Sequence, residues 1–119
     1  MNEDKVNPKH YNKYEYQPVD FIEDIFEDSC SFLVGNAIKY IARHEDKGGV
    51  VDLQKAMFFI SRVESTPLVD IKLVMKFTEQ LKRREATIIE NIFISLGKAK
   101  EGLQKFINNY DKYLEDGTK

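Results

Sequence analysis

Asn36, Lys39, Tyr40 and Arg43 recur at helical spacing, Lys47-Gly48-Gly49 follows closely, and Asp52 and Lys55 come just beyond. These residue types suit phosphate. Ammonium and guanidinium groups neutralise its oxygens, the guanidinium in a bidentate fork. Glycines let backbone approach a ligand, and consecutive N–H groups can form an anion-binding concavity. A helix starting after the glycines adds free donors and a partial positive charge. Lys39, Arg43 and Lys55 would neutralise phosphate oxygens, and the Gly48-Gly49 backbone with the helix start at Asp52 would cradle a second phosphate. Spacing alone also supports a plainer reading, in which the diglycine only closes a helical hairpin and the cations solvate its surface. The GxxxxGK[ST] pattern of a Walker A loop is missing.

Other chemistry-bearing residues lie upstream. Asp20, Asp24 and Asp28 fall four apart, with Glu23 and Glu27 beside them. Such a comb can hold Mg²⁺ through one or two carboxylates and waters, and it equally suits a solvated acidic face. His10, in Asn-Pro-Lys-His-Tyr, is one of two histidines and could donate to a phosphate or shuttle a proton. No CxxC or Cys/His cluster provides a metal site, and the single cysteine, Cys30, reads as a small buried hydrophobe.

Helices must position these groups. At about 100° per residue, Val34, Ala37, Ile38 and Ile41 share one face of a helix over 32–44, and Asn36, Lys39, Tyr40 and Arg43 share the opposite one. Ser31 is the expected cap, and the sequence HEDKGG ends the helix. Asp52 is the expected cap of a third helix reaching about residue 64, with Leu53, Ala56, Met57, Ile60 and Val63 inward and Lys55 and Arg62 on its flank. Before these, residues 1–16 read as an extended arm with Tyr11, Tyr14 and Tyr16 as anchors, and Pro18 opens a first helix to about Asp28. Ser65-Thr66-Pro67 marks a break. From Leu68 to Leu96 there is neither Gly nor Pro, so one long helix is conceivable, but Thr87-Ile88-Ile89-Glu90 fits a capping box and favours a turn over 82–86.

The last segment, 87–115, places Ile89, Phe93, Leu96, Leu103, Ile107, Tyr110 and Leu114 on a heptad-like seam, Lys100 filling the missing step; Ile88, Ile92, Ala99 and Phe106 widen it. That width suits a homo-oligomer through a coiled coil; the alternative is a helix folded back over its own domain. Strand-like alternation is absent. The expected fold is all-α: a small helical bundle with a long C-terminal helix or helical hairpin, divided into a helical region over 1–66 and an oligomerisation or partner-binding region over 67–119.

The composition narrows the partners. Eighteen basic and 20 acidic side chains give a net charge of −2 over 119 residues, so a general grip on nucleic acid or anionic membrane is not expected. Residues 1–16 are charged and lack the apolar core of a signal peptide, and no apolar run approaches the roughly 18 residues needed to span a bilayer. A soluble, intracellular setting is expected.

Asn7-Pro8-x-His10-Tyr11, Gly35-Asn36-Ala37-Ile38-Lys39-Tyr40-Ile41-x-Arg43 and Lys47-Gly48-Gly49-x-x-Asp52-Leu53-x-Lys55-Ala56, taken in that order, resemble a widespread family of small phage proteins catalogued as a domain of unknown function, with nucleotide kinase-like members. The resemblance covers roughly residues 6–63. It implies a phage protein acting in the cytoplasm of the infected bacterial host. It also implies binding of a deoxynucleotide and phosphorylation of deoxynucleoside monophosphates without a Walker motif, by a ring-like oligomer. His10, Tyr11, Asn36, Lys39, Tyr40, Arg43, Lys47, Asp52 and Lys55 are the residues it implicates. Phosphoryl transfer needs in-line positioning and charge stabilisation more than covalent chemistry, so Arg43 would act with His10 or Asp20 handling a proton, and Tyr40 or Tyr11 stacking a base. A kinase would also need a nucleotide phosphate donor, with Mg²⁺ as its companion. Gln17 departs from the family pattern, which commonly has a glutamate there, and the chain from Pro67 onward matches no pattern. Two other readings remain: an inhibitor that engages a host or antiviral defence protein through the C-terminal helices, and a helical nucleotide pyrophosphatase, suggested by the carboxylates of the first helix, although the later ExxD with which such enzymes pair an ExxE is not evident.

Overall fold

The computed structural model describes residues 15, 16, 18, 21 and 28–115, with side chains to residue 113. His10, Tyr11 and Asp20 lie outside the described residues, as do Gln17, Glu23, Asp24, Glu27, most of the expected arm and first helix, and the Leu114 side chain. Six helices and no strand occur among the described residues: α1 (Cys30–Arg43), α2 (Val50–Ile60), α3 (Ile71–Thr78), α4 (Arg83–Ile92), α5 (Leu96–Asn108) and α6 (Tyr110–Glu115). The fold is all-α.

Helix α1 forms because Leu33, Val34, Ala37 and Ile41 make a stripe that packs inward. Its start differs from expectation: Asp28, not Ser31, serves the first turn, accepting from the Cys30 N–H at 3.1 Å and from Ser31 Oγ at 3.3 Å. Helix α2 packs antiparallel to α1 through Leu53, Ala56 and Ile60. Its N-cap is Gly49, not Asp52; Gly49 has φ +60° and ψ −134°, a conformation that a Cβ makes strained, and Asp52 lies in the first turn. The helix also ends earlier than expected, at Ile60. Thr66 Oγ1 then accepts from the Leu96 N–H at 3.4 Å, and Lys100 Nζ donates to the Val63 carbonyl at 3.2 Å, fixing the 61–66 segment against α5. Lys100 thus has a partner of its own where the seam has its polar step.

Beyond Pro67 the chain turns repeatedly. Asp70 caps α3 by accepting from the Lys72 N–H at 3.0 Å. The break before α4 falls at 79–82, earlier than expected, and the Thr87–Glu90 capping box is not formed. Both residues lie inside α4: Thr87 Oγ1 accepts from Arg83 Nε at 3.1 Å, while Glu90 accepts from Thr78 Oγ1 and Arg83 Nη2, each at 2.7 Å. The seam over 87–115 is interrupted at 93–95 and again at Asn109, so α4 and α5 form a helical hairpin.

The seam therefore packs within its own chain. Ile88, Ile89, Ile92, Leu96, Ala99, Leu103, Phe106 and Tyr110 are all buried, in one cluster with Leu33, Ala37, Ile41, Leu53, Ala56 and Ile60. The α1–α2 hairpin lies on the α4–α5 hairpin, with α2 against α5 and α1 against α4. Helix α3 packs mainly on α4, and Ile71, Leu73, Met75 and Phe77 are exposed on it between Lys72 and Lys76, with Leu68 and Val69 just before them. No helix among the described residues is long and apolar enough to cross a membrane.

Candidate functional site

The outer face of α1 and α2 gathers cations around one aromatic ring. Lys39 Nζ lies 5.3 Å, Arg43 Cζ 4.7 Å and Lys55 Nζ 5.5 Å from the Tyr40 ring centroid. Lys39 and Arg43 reach that ring from the helix that carries it, and Lys55 reaches it from α2, because the α1–α2 hairpin brings these faces together. The Tyr40 ring stacks on Phe59 at 6.0 Å with 10° between planes, and Phe59 is met edge-on by Phe32 and Phe58. Tyr40 thus forms an aromatic floor beneath three positive charges, each attracted by the ring's electron-rich face by about 0.5–1 kcal/mol at exposed sites. Its stacking partner among the described residues is Phe59.

Among the described residues, Asp52 is the one carboxylate paired with this cluster. Its side chain is 2% exposed, and it accepts from Arg43 Nε at 3.2 Å, Arg43 Nη2 at 3.5 Å and the Gly48 N–H at 2.9 Å. A Cβ at Gly48 would stand 2.6 Å from Asp52 Oδ1, so the carboxylate requires glycine at that position. The turn's other donors also point inward: the Asp46 and Lys47 N–H groups donate to the Arg43 carbonyl at 3.0 and 3.1 Å, and the Gly49 N–H donates to the His44 carbonyl at 2.7 Å. The diglycine backbone, expected to cradle a phosphate, instead satisfies Asp52 and the end of α1. Of the expected contacts, Lys39, Arg43 and Lys55 converge as side chains; Lys47 is exposed on the turn, and Asn36 Nδ2 donates to the Phe32 carbonyl at 2.9 Å. Asp52 positions Arg43, and its negative charge disfavours direct contact with an anion.

Behind the turn lies a buried polar network. His44, 1% exposed, has Nδ1 2.7 Å from the Tyr110 hydroxyl and Nε2 2.6 Å from Glu85 Oε2. A carboxylate only accepts, so Nε2–H donates to Glu85, and Nδ1 and the Tyr110 hydroxyl share the second hydrogen bond. Tyr113 O–H donates to Glu45, and its oxygen is also 3.4 Å from Glu85 Oε2. Lys82 Nζ donates to both Glu45 oxygens, at 2.8 and 2.7 Å. Phe106 packs edge-on against the His44 ring at 5.2 Å.

This network shapes the titration of its members. Burial, reinforced by the hydrogen bond to Glu45 and the negative charge of Glu85, pushes the Tyr113 phenol well above its ordinary value. Burial with the charges of Glu45, Glu85 and Asp52 pushes Tyr110 up as well. For Glu45, burial acts upward, but the hydrogen bonds from Lys82 and Tyr113, with the charges of Lys82 and His44, outweigh it and hold the carboxyl below its usual range. Burial, with Asp28 nearby, raises the Cys30 thiol.

The helical wheel contains the signal for His44, which follows Ala37 and Ile41 on the buried stripe of α1. Nothing in the local pattern marks Glu85, whose partner is a histidine on a different helix. Among the described residues, no group of three or more His, Cys, Asp or Glu side chains is placed to hold a metal ion.

Residues 5–61 match the model of a family described as a protein of unknown function (DUF3310). That span includes α1, the diglycine turn and α2, and it ends before α3. Neither the curated proteins nor the solved structures compared with the chain include a match.

Proposed function

We propose that this is a phage-encoded protein that binds a deoxynucleotide on the cationic face of α1 and α2, in the cytoplasm of the infected host. The observation that carries the reading is the convergence of Lys39, Arg43 and Lys55 on the Tyr40 ring, with Asp52 alone among the described residues paired against them. Three cations around one ring repel one another, and a phosphate relieves that repulsion while accepting charge-assisted hydrogen bonds. Arg43, held by Asp52 on one edge, is oriented before the ligand arrives, which lowers the ordering cost of binding.

The resemblance to kinase-like phage proteins extends the proposal to phosphoryl transfer onto a deoxynucleoside monophosphate. In that reaction Lys39, Arg43 and Lys55 stabilise charge on the phosphoryl oxygens, and a second, phosphate-donating nucleotide with Mg²⁺ is required. A thermal-shift screen against deoxynucleoside mono-, di- and triphosphates tests binding, because a ligand selective for the folded form raises the midpoint by mass action. A raised midpoint with a monophosphate supports the proposal; a flat response to all of them removes it.

One observation favours a second reading, engagement of a host or antiviral defence protein. Leu68 is 98% and Leu73 64% exposed, and Val69, Ile71, Met75 and Phe77 are exposed with them; contiguous exposed apolar surface marks interaction sites. The same surface, not the buried C-terminal seam, would carry homo-oligomerisation. Light scattering on the wild type and on Leu73→Glu separates self-association from monomeric behaviour.

A further inference from the structure

We propose a second anion site, away from Tyr40, in the cavity between the start of α4 and the α5–α6 corner, and we assign it to a compact polyanion of the polyphosphate class. The cavity has a volume of about 780 Å³, within the range of small-molecule sites. Its lining holds Lys82, Arg83, Arg84, Lys105 and Lys112 against one acidic residue, Glu85. The chain as a whole carries more acidic than basic side chains, so this local excess is not a consequence of composition.

The charges already in use can be set aside. Lys82 is paired with Glu45 and Arg83 with Glu90. Among the described residues, Arg84, Lys105 and Lys112 form no ion pair. Arg84 is held in place by its guanidinium, which lies 5.1 Å from the Phe106 ring centroid and 4.7 Å from that of Tyr113. Glu85, which also lines the cavity, accepts from His44 Nε2 at 2.6 Å. Its Oε1 is buried and has no hydrogen-bond partner among the described residues. Helix α4 starts at this cavity, and Lys82 makes no side-chain capping bond, so first-turn N–H groups add to the positive potential.

Three cations without an ion pair among the described residues, and a helix start, call for a ligand with several negative charges in a small volume. A chain of two or three phosphates meets that demand. A single carboxylate does not. Arg84 contributes a fixed fork for two phosphate oxygens, while Lys105 and Lys112 approach as point charges from α5 and α6.

The test is a calorimetric titration of the full chain with inorganic tripolyphosphate, with citrate as a non-phosphate trianion. Because the proposed nucleotide site at Tyr40 also attracts phosphates, the titration is made in the Lys39→Gln/Lys55→Gln background, which should still bind one tripolyphosphate. Adding Lys105→Gln/Lys112→Gln, at two exposed positions, should weaken that binding by at least about tenfold while leaving the circular dichroism spectrum unchanged. The assignment is overturned if tripolyphosphate does not bind in that background, or if adding Lys105→Gln/Lys112→Gln leaves its affinity unchanged. Equal affinity for citrate would overturn the polyphosphate class.

Discussion

Replacing Glu85 with alanine tests what holds the α1–α2 turn in place. The Glu85 side chain is 6% exposed and that of His44 1%, and their contact is 2.6 Å. Truncation leaves the His44 Nε2–H without its acceptor in a dry setting. It also deprives Tyr113 of its second oxygen contact. A buried donor left unsatisfied costs about 1–3 kcal/mol. We expect Glu85→Ala to lose about 3 kcal/mol. For 119 residues, an unfolding entropy of about 2.1 cal/mol/K per residue converts this into a Tm drop of about 12 °C. Glu85→Gln keeps the volume and an amide oxygen that can accept from Nε2–H, so it should lose about 1 kcal/mol, or about 4 °C. Thermal unfolding followed by circular dichroism reads both, and the His44→Ala/Glu85→Ala double variant should show strong coupling between the two sites. If alanine and glutamine were equally mild, or the two sites additive, the network would not be what fixes the turn.

Two further predictions rest on particular residues. Tyr113 and Tyr110 titrate above their ordinary value in the folded state; their stabilising effect is complete below the unfolded value of about 10 and is lost as pH rises beyond it. Stability should therefore fall above about pH 10, and part of the phenolate absorbance should appear only with unfolding; normal titration of all six tyrosines in folded protein would contradict the burial argument. Gly49→Ala forces a Cβ into a conformation that disfavours it, at a cost of about 1–3 kcal/mol. A denaturation midpoint equal to that of the wild type would show that the turn has another accessible form.

Helical periodicity made much of the core legible. Val34, Ala37 and Ile41 on α1, and Leu53, Ala56, Ile60 and Val63 along and just past α2, are buried as their spacing predicts. The cationic face opposite was legible for the same reason, since Lys39, Tyr40 and Arg43 follow from the wheel of α1 once its buried side is known. The interruption at Phe93-Ile94-Ser95 was not. No Gly or Pro marks it; it exists because folding α4 and α5 together buries Ile89, Leu96 and Leu103 within one chain, a tertiary gain that local propensity does not encode. Asp52 was misread as a cap because its type and place fit one, whereas Gly49, the only positive-φ residue among those described, sets the start of α2. The His44–Glu85 contact joins residues distant in sequence, and no pattern within a helix predicts such a pairing.

Calorimetric titration of deoxynucleoside monophosphates into the wild type and into Lys39→Gln/Lys55→Gln tests the central claim most directly. Lys39 and Lys55 form no ion pair among the described residues, so their replacement leaves no carboxylate stranded, unlike loss of Arg43 beside buried Asp52. At about 1–1.5 kcal/mol per exposed charged contact, binding should weaken by at least about thirtyfold with the fold intact. A monophosphate that binds both proteins equally, or neither, would contradict the account.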